Sequence, residues 1–535
     1  MSMQKILFGR SSPEAIAIRS TSPRTPLTYR ALRRQIDYTL ATLNGAGIGR
    51  GDRVATVMNN SPEAATTFLC LAAGTSFAPL NPAYKESELE FYLNDLKPKV
   101  VIVDEVNASS AVIPAAGKLG IPTVRLCTNK DGPAGEFALD TSELPSHHFV
   151  NRGGYADSED EALILHTSGT TGRAKMVPLK LKNLAASAYN ISRTLSLTSA
   201  DTGLVIAPMF HIHGLMAGIL SALYAGGSIF CPPSAFSPTK FFEWMKEGQP
   251  SWYTGVPAMH RLILEIGTRP EFVDIVNKSA LRFIRSSSDS LPPVVLEALE
   301  KMFRTVVVES YGMTEAAHQM ASNPLDRARR KAGTVGFPAG PEIRIMADDD
   351  TFLPAGEEGH IVIRGDNVTN GYFENPEANA KDFKNGWFDT GDIGSFDSDG
   401  YLTISGREKD IINRGGEKIM PVEVTYLLLQ HPAIAQVAVF GVPDALLGQR
   451  VGAAIVLREG EMATEEGLKV FAAEHLARFK VPERWAFVDD IPKGPTGKVQ
   501  RKLLPYQLGF VTENSAPTAP VPQAAPVPSG NAAPQ

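Results

Sequence analysis

Cysteine is scarce in this sequence of 535 residues. Only three are present, Cys70, Cys127 and Cys231, and they lie far apart. Their spacing matches no metal-ligand motif, and a small odd number argues against a disulfide framework. The cysteine content therefore predicts a protein of a reducing compartment.

The sequence also lacks a concentration of positive charge. Lys and Arg together number 52 against 58 Asp and Glu, which gives a net charge of -6. A nucleic-acid-binding surface normally needs a basic patch or stripe. We therefore expect no nucleic-acid partner.

No apolar run reaches the length of about 20 residues that a membrane span needs. The most apolar stretch, 204–230, is interrupted by Pro208, His211 and His213, and we interpret it as buried core. The first residues form a poor secretory signal, and the last three, Ala-Pro-Gln, are not a peroxisomal tripeptide. We expect a cytoplasmic protein without a membrane span.

What the sequence does contain is enough apolar material for a large core. Hydrophobic residues make up 43% and charged residues 21%, so the length predicts more than one domain. Residues 29–43 have the spacing of a one-sided helix, 53–58 form a short apolar strand, and Ser61-Pro62 starts another helix. This alternation predicts an α/β fold with stacked, mostly parallel sheets covered by helices.

The pattern changes after about residue 340. Residues 358–364 alternate as in a strand, and 397–400 are typical of a hairpin turn, which predicts a small β-rich subdomain. A second, α+β module follows, and its end is rich in Pro and Ala. The predicted divisions are an N-terminal domain over 1–406, a small C-terminal domain over 407–510 and a disordered tail over 511–535.

Four segments repeat one arrangement, in which an apolar strand is followed by a polar or glycine-rich loop. The strands are expected at 162–165, 204–207, 251–254 and 306–309. Ligands of open α/β sheets bind outside the carboxyl ends of the strands. We therefore expect the four loops to share one crevice.

The first of these loops has the composition of an anion site. Its glycines let the backbone bend around an anion, its hydroxyls add donors, and its lysine adds charge. The spacing differs from that of a Walker A motif, and a flexible surface turn is the alternative. The candidate residues are Thr167, Ser168, Gly169, Thr170, Thr171, Gly172 and Lys175.

Three further segments contain residues that could bind parts of a nucleotide. An adenine could stack on Tyr311, Thr314 could bind phosphate, and Glu315 could hold Mg²⁺. Asp392 follows a glycine turn and could accept the hydrogen bonds of a ribose, while Lys498 adds charge late in the chain. Taken singly, each could equally be a buried tyrosine, an ordinary turn or a solvated lysine.

Taken together and in order, the motifs resemble the adenylate-forming superfamily. They read Thr-Ser-Gly-Thr-Thr-Gly, Tyr-Gly-x-Thr-Glu, Thr-Gly-Asp, Gly-Arg-x-Lys-Asp and Pro-x-Gly-Lys, and the resemblance covers about 27–502. It implies an AMP-forming acyl-CoA synthetase that uses ATP, Mg²⁺ and coenzyme A. It also implies a large N-terminal domain and a small, mobile C-terminal domain.

The resemblance also implies roles for individual residues. The loop 167–172 would hold the β- and γ-phosphates, Tyr311 with Gly312 the adenine, Thr314 the α-phosphate, and Glu315 the metal. In the remaining positions, Asp392 and Arg407 would bind the ribose, Lys498 would catalyse adenylation, Lys409 would be the hinge, and Gly415 and Gly416 would enter the site for the thioester step. One departure is Glu309, which stands where many relatives have Asn.

The acyl pocket is expected beside these motifs, with His211 as the gate at the acyl carboxylate. Within the superfamily, the sequence is most similar to the oxalyl-CoA synthetase group at 284–288, 311–320, 322–324 and 413–419. A second carboxylate needs donors, so oxalate or another small acid is the expected substrate. The other predicted lining residues are Met209, His213, Trp252, Ser286, Ser288, Gly312, Met313 and His318.

Several alternatives stay open at this point. A medium-chain or aromatic acid would suit the same fold, and a separate carrier protein could replace coenzyme A as acceptor. A luciferase-like oxygenase is a further alternative, and a scaffold without catalysis would be expected to lack Glu315 or Lys498, although both are present. The oligomeric state is left open.

Overall fold

A computed structural model describes residues 2–107, 110–144, 150–167, 174–493 and 499–511 of the chain. Several predictions fall outside these ranges and stay predictions. They concern the tail over 512–535, Lys498, and the loop residues Ser168, Gly169, Thr170, Thr171 and Gly172.

Sixteen strands of the described residues build two sheets in the first part of the chain. They are β1 (Ile16–Arg19), β2 (Leu27–Thr28), β3 (Arg53–Val57), β4 (Ser76–Leu80), β5 (Val100–Val103), β6 (Thr123–Thr128), β7 (Phe137–Asp140), β8 (Glu161–Thr167), β9 (Lys175–Lys180), β10 (Thr202–Val205), β11 (Ser228–Phe230), β12 (Trp252–Gly255), β13 (Phe283–Ser286), β14 (Val306–Met313), β15 (His318–Ser322) and β16 (Phe337–Pro338).

The two sheets have parallel centres and antiparallel edges. One has seven strands in the order β7-β6-β5-β3-β4-β8-β9, and the other has nine in the order β16-β15-β14-β13-β12-β10-β11-β1-β2. Parallel pairs such as β12–β13 and β13–β14 form the centre of the larger sheet, whereas β14–β15 and β8–β9 are antiparallel.

Helices cover both sheets. The helix α2 illustrates why, because Thr28 caps it and Leu32, Ile36, Leu40 and Leu43 form one buried face. A π-helix, His213–Leu220, lies in the apolar stretch 204–230. The helices of this part are α1 (Met3–Phe8), α2 (Tyr29–Gly45), α3 (Pro62–Ala72), α4 (Glu86–Leu96), α5 (Val112–Lys118), α6 (Leu181–Thr194), α7 (Ser221–Tyr224), α8 (Pro238–Gly248), α9 (Pro257–Gly267), α10 (Pro270–Asn277) and α11 (Pro293–Phe303).

A small antiparallel sheet follows, as the change of pattern predicts. The turn at 397–400 joins the antiparallel strands β20 and β21, and their register places Asp392 opposite Arg407. Its elements are β17 (Glu342–Met346), β18 (Gly359–Arg364), α12 (Pro376–Asp382), β19 (Phe383–Lys384), β20 (Trp387–Phe396) and β21 (Leu402–Arg407).

The last part of the chain is the predicted α+β module. It has its own apolar core, in which Ile412, Val439, Ile455 and Leu468 are fully buried. Its elements are β22 (Ile412–Arg414), β23 (Glu417–Ile419), α13 (Pro421–Leu428), β24 (Ile434–Asp444), β25 (Gly448–Leu457), α14 (Glu465–Ala473), β26 (Arg484–Phe487) and α15 (Leu504–Gln507).

The predicted α/β fold class is confirmed, but two details differ. The strand at 162–165 belongs to the seven-stranded sheet, whereas the other three of the repeated arrangement belong to the nine-stranded sheet. The strand expected at 306–309 continues to Met313, because antiparallel pairing with β15 extends it. No helix of the described residues is long and apolar enough to cross a bilayer.

Candidate active site

Three strands bring together the residues predicted to hold adenosine. Tyr311 lies on β14, Asp392 on β20 and Arg407 at the end of β21. The Tyr311 hydroxyl donates to Asp392 Oδ2, and Arg407 Nε lies 3.0 Å from Asp392 Oδ1. Burial, together with Asp392, raises the pKa of Tyr311 well above its ordinary value, and Asp392 raises the pKa of Arg407. The buried carboxylate of Asp392 is thus bonded to both residues, and Arg407 balances its negative charge.

Glu315 lies immediately beyond this cluster, in the 3₁₀ turn Thr314–Ala316 that follows β14. Its Oε1 accepts a hydrogen bond of 3.1 Å from the hydroxyl of Tyr372. Burial raises the pKa of Glu315, while Tyr372, Arg407 and Lys175 act in the opposite direction. A buried carboxylate whose charge is disfavoured by burial is stabilised by a nearby cation. This residue therefore fits Mg²⁺ bound through oxygen and phosphate ligands.

Thr167 and Lys175 flank the predicted phosphate loop in the sequence, and they face each other in the register of β8 and β9. Lys175 Nζ lies 2.6 Å from Asp382 Oδ2 and 4.3 Å from the ring centroid of Tyr372. Tyr372 therefore contacts both the lysine of the loop and Glu315, which joins two predicted motifs that lie on different sheets.

A second cluster surrounds the imidazole rings of His213 and His318, which are stacked with centroids 4.8 Å apart and planes 18° apart. His213 Nδ1 lies 3.0 Å from Ser288 Oγ, and its Nε2 lies 2.6 Å from Thr254 Oγ1. His318 Nε2 lies 3.1 Å from Arg285 Nη1. Three predicted pocket residues, Ser288, His213 and His318, are therefore brought together.

Two residues of this cluster, Thr254 and Arg285, are missing from the sequence-based set of site residues. Arg285 is fully buried on β13 and also donates to Thr254 Oγ1 and Gln319 Oε1, both at 3.3 Å. Its Nε has no hydrogen-bond partner among the described residues, and burial lowers the pKa of Arg285 to about 9. The signal that could have revealed it is an arginine in the middle of an apolar strand, where a charge is rarely buried without a partner.

The backbone around this cluster is unusual. Ser288 has φ 74° and His318 has φ 94°, conformations that side-chain-bearing residues rarely adopt. Gly312 lies against the same segment, and a Cβ added to it would be 1.9 Å from the carbonyl oxygen of His318. Both features indicate a closely fitted backbone at a functional site.

The remaining predicted pocket residues are placed less uniformly. Met313 and Thr314 are half-buried, and Ser286 is buried with an Oγ that hydrogen-bonds to none of the residues that the structure describes. Met209 is buried and the ring of His211 lies 4.6 Å from that of Phe210. Trp252, in contrast, stacks on Phe283 in the apolar core, two residues before Thr254 on the same strand.

The predicted hinge and thioester residues lie at the start of the C-terminal module. Lys409 is in the 3₁₀ turn Glu408–Asp410, where burial and Arg407 lower its pKa to about 8. Gly415 and Gly416, with φ 59° and 94°, form the exposed turn between β22 and β23. Gly415 N–H donates to the carbonyl of Leu447, so the described contact of this turn lies within the module.

Glu309 proves to be a buried acid on β14. Its Oε1 accepts from Leu291 N–H at 2.9 Å, and no described residue hydrogen-bonds to its Oε2. Burial raises the pKa of Glu309 to about 8. Burial raises the pKa of Tyr426 on α13, and the charge of the nearby Glu309 acts in the same direction. This carboxyl thus lies where the C-terminal module contacts the larger domain.

Most of the chain is similar to one family of enzymes. Residues 8–373 match the model of the AMP-binding enzyme family, and residues 423–498 match the AMP-binding enzyme C-terminal domain. Oxalate–CoA ligase of Arabidopsis thaliana is 43% identical over 91% of this chain and 94% of its own length. Oxalate–CoA ligase of Saccharomyces cerevisiae is 41% identical over 95% and 97% of the two lengths.

The fold of the chain is also similar to that of a solved enzyme structure. The crystal structure of ATP-bound MatB from Rhodopseudomonas palustris superposes with a TM-score of 0.83 at 31% sequence identity, and the match covers 94% of this chain and 98% of that one.

Proposed function

Since the chain belongs to the AMP-binding enzyme family, we propose that it converts oxalate, or another acid of two or three carbons, into its coenzyme A thioester. The chain is an AMP-forming acid–CoA ligase that uses ATP, Mg²⁺ and coenzyme A. The identity of the acid is the part proposed here.

The observation that carries the choice of acid is the polarity of the second cluster. A slot for an alkyl chain would be lined by apolar side chains, because a buried polar group costs free energy unless it is paired. Here His213, His318 and Thr254 are buried. His213 is hydrogen-bonded to Thr254, and His318 is hydrogen-bonded to Arg285. Such a wall suits a short acid with polar groups at both ends, and the two oxalate–CoA ligases named above fit this choice.

In the first step, a carboxylate oxygen of the acid attacks the α-phosphorus of ATP, and pyrophosphate leaves with the bonding electron pair. Two anions must approach each other, so positive charge and donors have to be in place before reaction. We assign this task to Lys175, Thr314 and Lys498. Glu315 would hold Mg²⁺, which supplies further charge neutralisation at the phosphates when bound.

In the second step, the sulfur of coenzyme A attacks the acyl carbonyl carbon, and AMP leaves as the thiol proton is lost. The C-terminal module would change position between the steps by rotation at Lys409, so that Gly415 and Gly416 replace Lys498 beside the acyl group. Alternation of this kind is an established role for domain movement in enzymes.

A panel of acids tests the proposal directly. The purified full chain, with ATP, Mg²⁺ and coenzyme A, would be assayed for AMP and pyrophosphate release with oxalate, malonate, glyoxylate, octanoate and ferulate. Oxalate or another acid of two or three carbons should give the highest kcat/KM. A higher kcat/KM for octanoate or ferulate would replace this proposal with the medium-chain or aromatic alternative.

A further inference from the structure

Arg285 is a buried cation without a counter-ion. Its side chain is fully buried, and no carboxylate of the described residues forms an ion pair with it. Its partners Thr254, Gln319 and His318 carry no negative charge, and its Nε has no hydrogen-bond partner within the part of the chain that the structure describes. A buried charge normally requires a partner of opposite sign, so the protein without substrate carries uncompensated positive charge at this point.

The hydrogen bonds of Arg285 also determine which atoms of the cluster carry protons. A guanidinium only donates, so His318 Nε2 accepts from Arg285 Nη1 and the proton of a neutral His318 ring lies on Nδ1. Arg285 therefore makes His318 a donor at the atom that faces away from the guanidinium.

A second path leads from Arg285 through Thr254 to His213. Thr254 Oγ1 accepts from Arg285, and the positive charge favours donation of its single hydrogen to His213 Nε2, 2.6 Å away. His213 Nδ1 then donates to Ser288 Oγ at 3.0 Å, which leaves the Ser288 hydroxyl hydrogen as the terminal donor. Along both paths, the last group presents a hydrogen-bond donor on the side away from Arg285.

We propose that Arg285 makes the pocket selective for acids with a second negative charge, acting as a positioning residue through His318 and through Thr254, His213 and Ser288. This inference rests on the proposed function, since it assigns the second charge of the acid to the pocket described above. A short dianion is the class of ligand that fits this site, because its distal anionic group supplies the missing negative charge.

Two substitutions separate the charge of Arg285 from its hydrogen bonds. Arg285→Lys keeps the positive charge, and Arg285→Gln keeps an N–H donor but removes the charge. Each variant would be assayed for kcat/KM with oxalate and with glyoxylate, which is of similar size but carries one charge. The ratio of the two values is taken on one preparation, so a lower yield of folded enzyme cancels.

We expect Arg285→Gln to lower the oxalate-to-glyoxylate ratio on the order of 100-fold, and Arg285→Lys to keep most of it. The matched control is Arg282→Gln, three residues earlier, where the arginine pairs with Asp201 outside the pocket and the ratio should not change. An unchanged ratio in Arg285→Gln, whether the two kcat/KM values stay the same or fall equally, would overturn the inference. A wild-type enzyme that prefers glyoxylate to oxalate would also overturn the inference, whereas one that prefers octanoate or ferulate to both small acids would contradict the proposed function.

Discussion

The hydroxyl of Tyr311 and the carboxylate of Asp392 are joined by a hydrogen bond that links the nine-stranded sheet to the small β-rich sheet. Arg407 approaches the other carboxylate oxygen, so one buried acid organises both partners. Removing its charge would leave the arginine and the phenol without the anion they now share. A nucleotide that binds across these two sheets depends on this alignment.

Asp392→Asn should therefore weaken ATP binding. Hydrogen bonds to charged groups contribute about 1.5–3 kcal/mol each, so we expect the Kd for ATP to rise by roughly 10- to 100-fold. Titration calorimetry of the full chain would measure it. Asp397→Asn is the control, because Asp397 lies in the turn of the same sheet and pairs with Lys331. Equal Kd values for wild type and Asp392→Asn would contradict a ribose-binding role.

Tyr372→Phe should move the acid limb of the pH–rate profile to higher pH. The Tyr372 hydroxyl donates to Glu315 and so favours the ionised form, whereas burial raises the pKa of Glu315. Without that donor the pKa rises further, and the carboxylate needed for Mg²⁺ is lost at a higher pH. Pyrophosphate release would be followed against pH, with Glu315→Gln as the inactive reference. An acid limb that stays in place, or moves to lower pH, would argue against Glu315 as the ligand.

Lys498→Ala should separate the two half-reactions. The lysine is assigned to charge neutralisation during adenylation, so acid-dependent exchange of pyrophosphate into ATP should fall by about 100-fold or more. Thioester formation from supplied acyl-adenylate should stay within about 10-fold of wild type, since that step does not require attack on phosphorus. Equal losses in the two assays would refute this division of labour.

Glu309→Gln should make stability less dependent on pH. Burial raises the pKa of Glu309 from 4.5 to about 8, so the folded chain binds this proton more tightly than the unfolded chain. The associated stability is present below about pH 4.5 and is lost as pH rises through about 8. The free energy of unfolding of wild type relative to Glu309→Gln should fall by up to roughly 4 kcal/mol between about pH 5 and about pH 8.5.

Denaturant melts of both proteins at the two pH values would measure this difference. Glu297→Gln on the exposed face of α11 serves as the control, because removal of an exposed carboxyl should leave the pH dependence unchanged. If the Glu309 variant lost stability with rising pH as steeply as wild type, the buried carboxyl would not be the group that titrates.

Much of this architecture follows from local sequence signals. The alternation of apolar strands and capped helices predicts the α/β class. The ordered motifs, through their resemblance to the adenylate-forming superfamily, predict Tyr311, Glu315 and Asp392 as site residues. Periodicity identifies a strand but not the sheet to which it belongs. For that reason the sequence does not reveal that β8 lies in the seven-stranded sheet, whereas β10, β12 and β14 lie in the nine-stranded sheet.

What the sequence could not reveal depends on contacts between distant segments. Thr254 and Arg285 lie 31 residues apart and meet because β12 and β13 are parallel neighbours. Tyr372 reaches Glu315 across 57 residues of chain. The extension of β14 to Met313 likewise arises from its pairing with β15. None of these residues belongs to a local pattern that names its partner.

The backbone conformations of Ser288 and His318 set stability against function in this protein. Each has a positive φ that a glycine would adopt without strain, and such strain costs of order 1–3 kcal/mol per residue. Glycine at either position would relieve this strain, but it would also delete the side chain that pairs with Arg285 or His213. The strained backbone is therefore retained together with the hydroxyl and the imidazole of the acyl pocket.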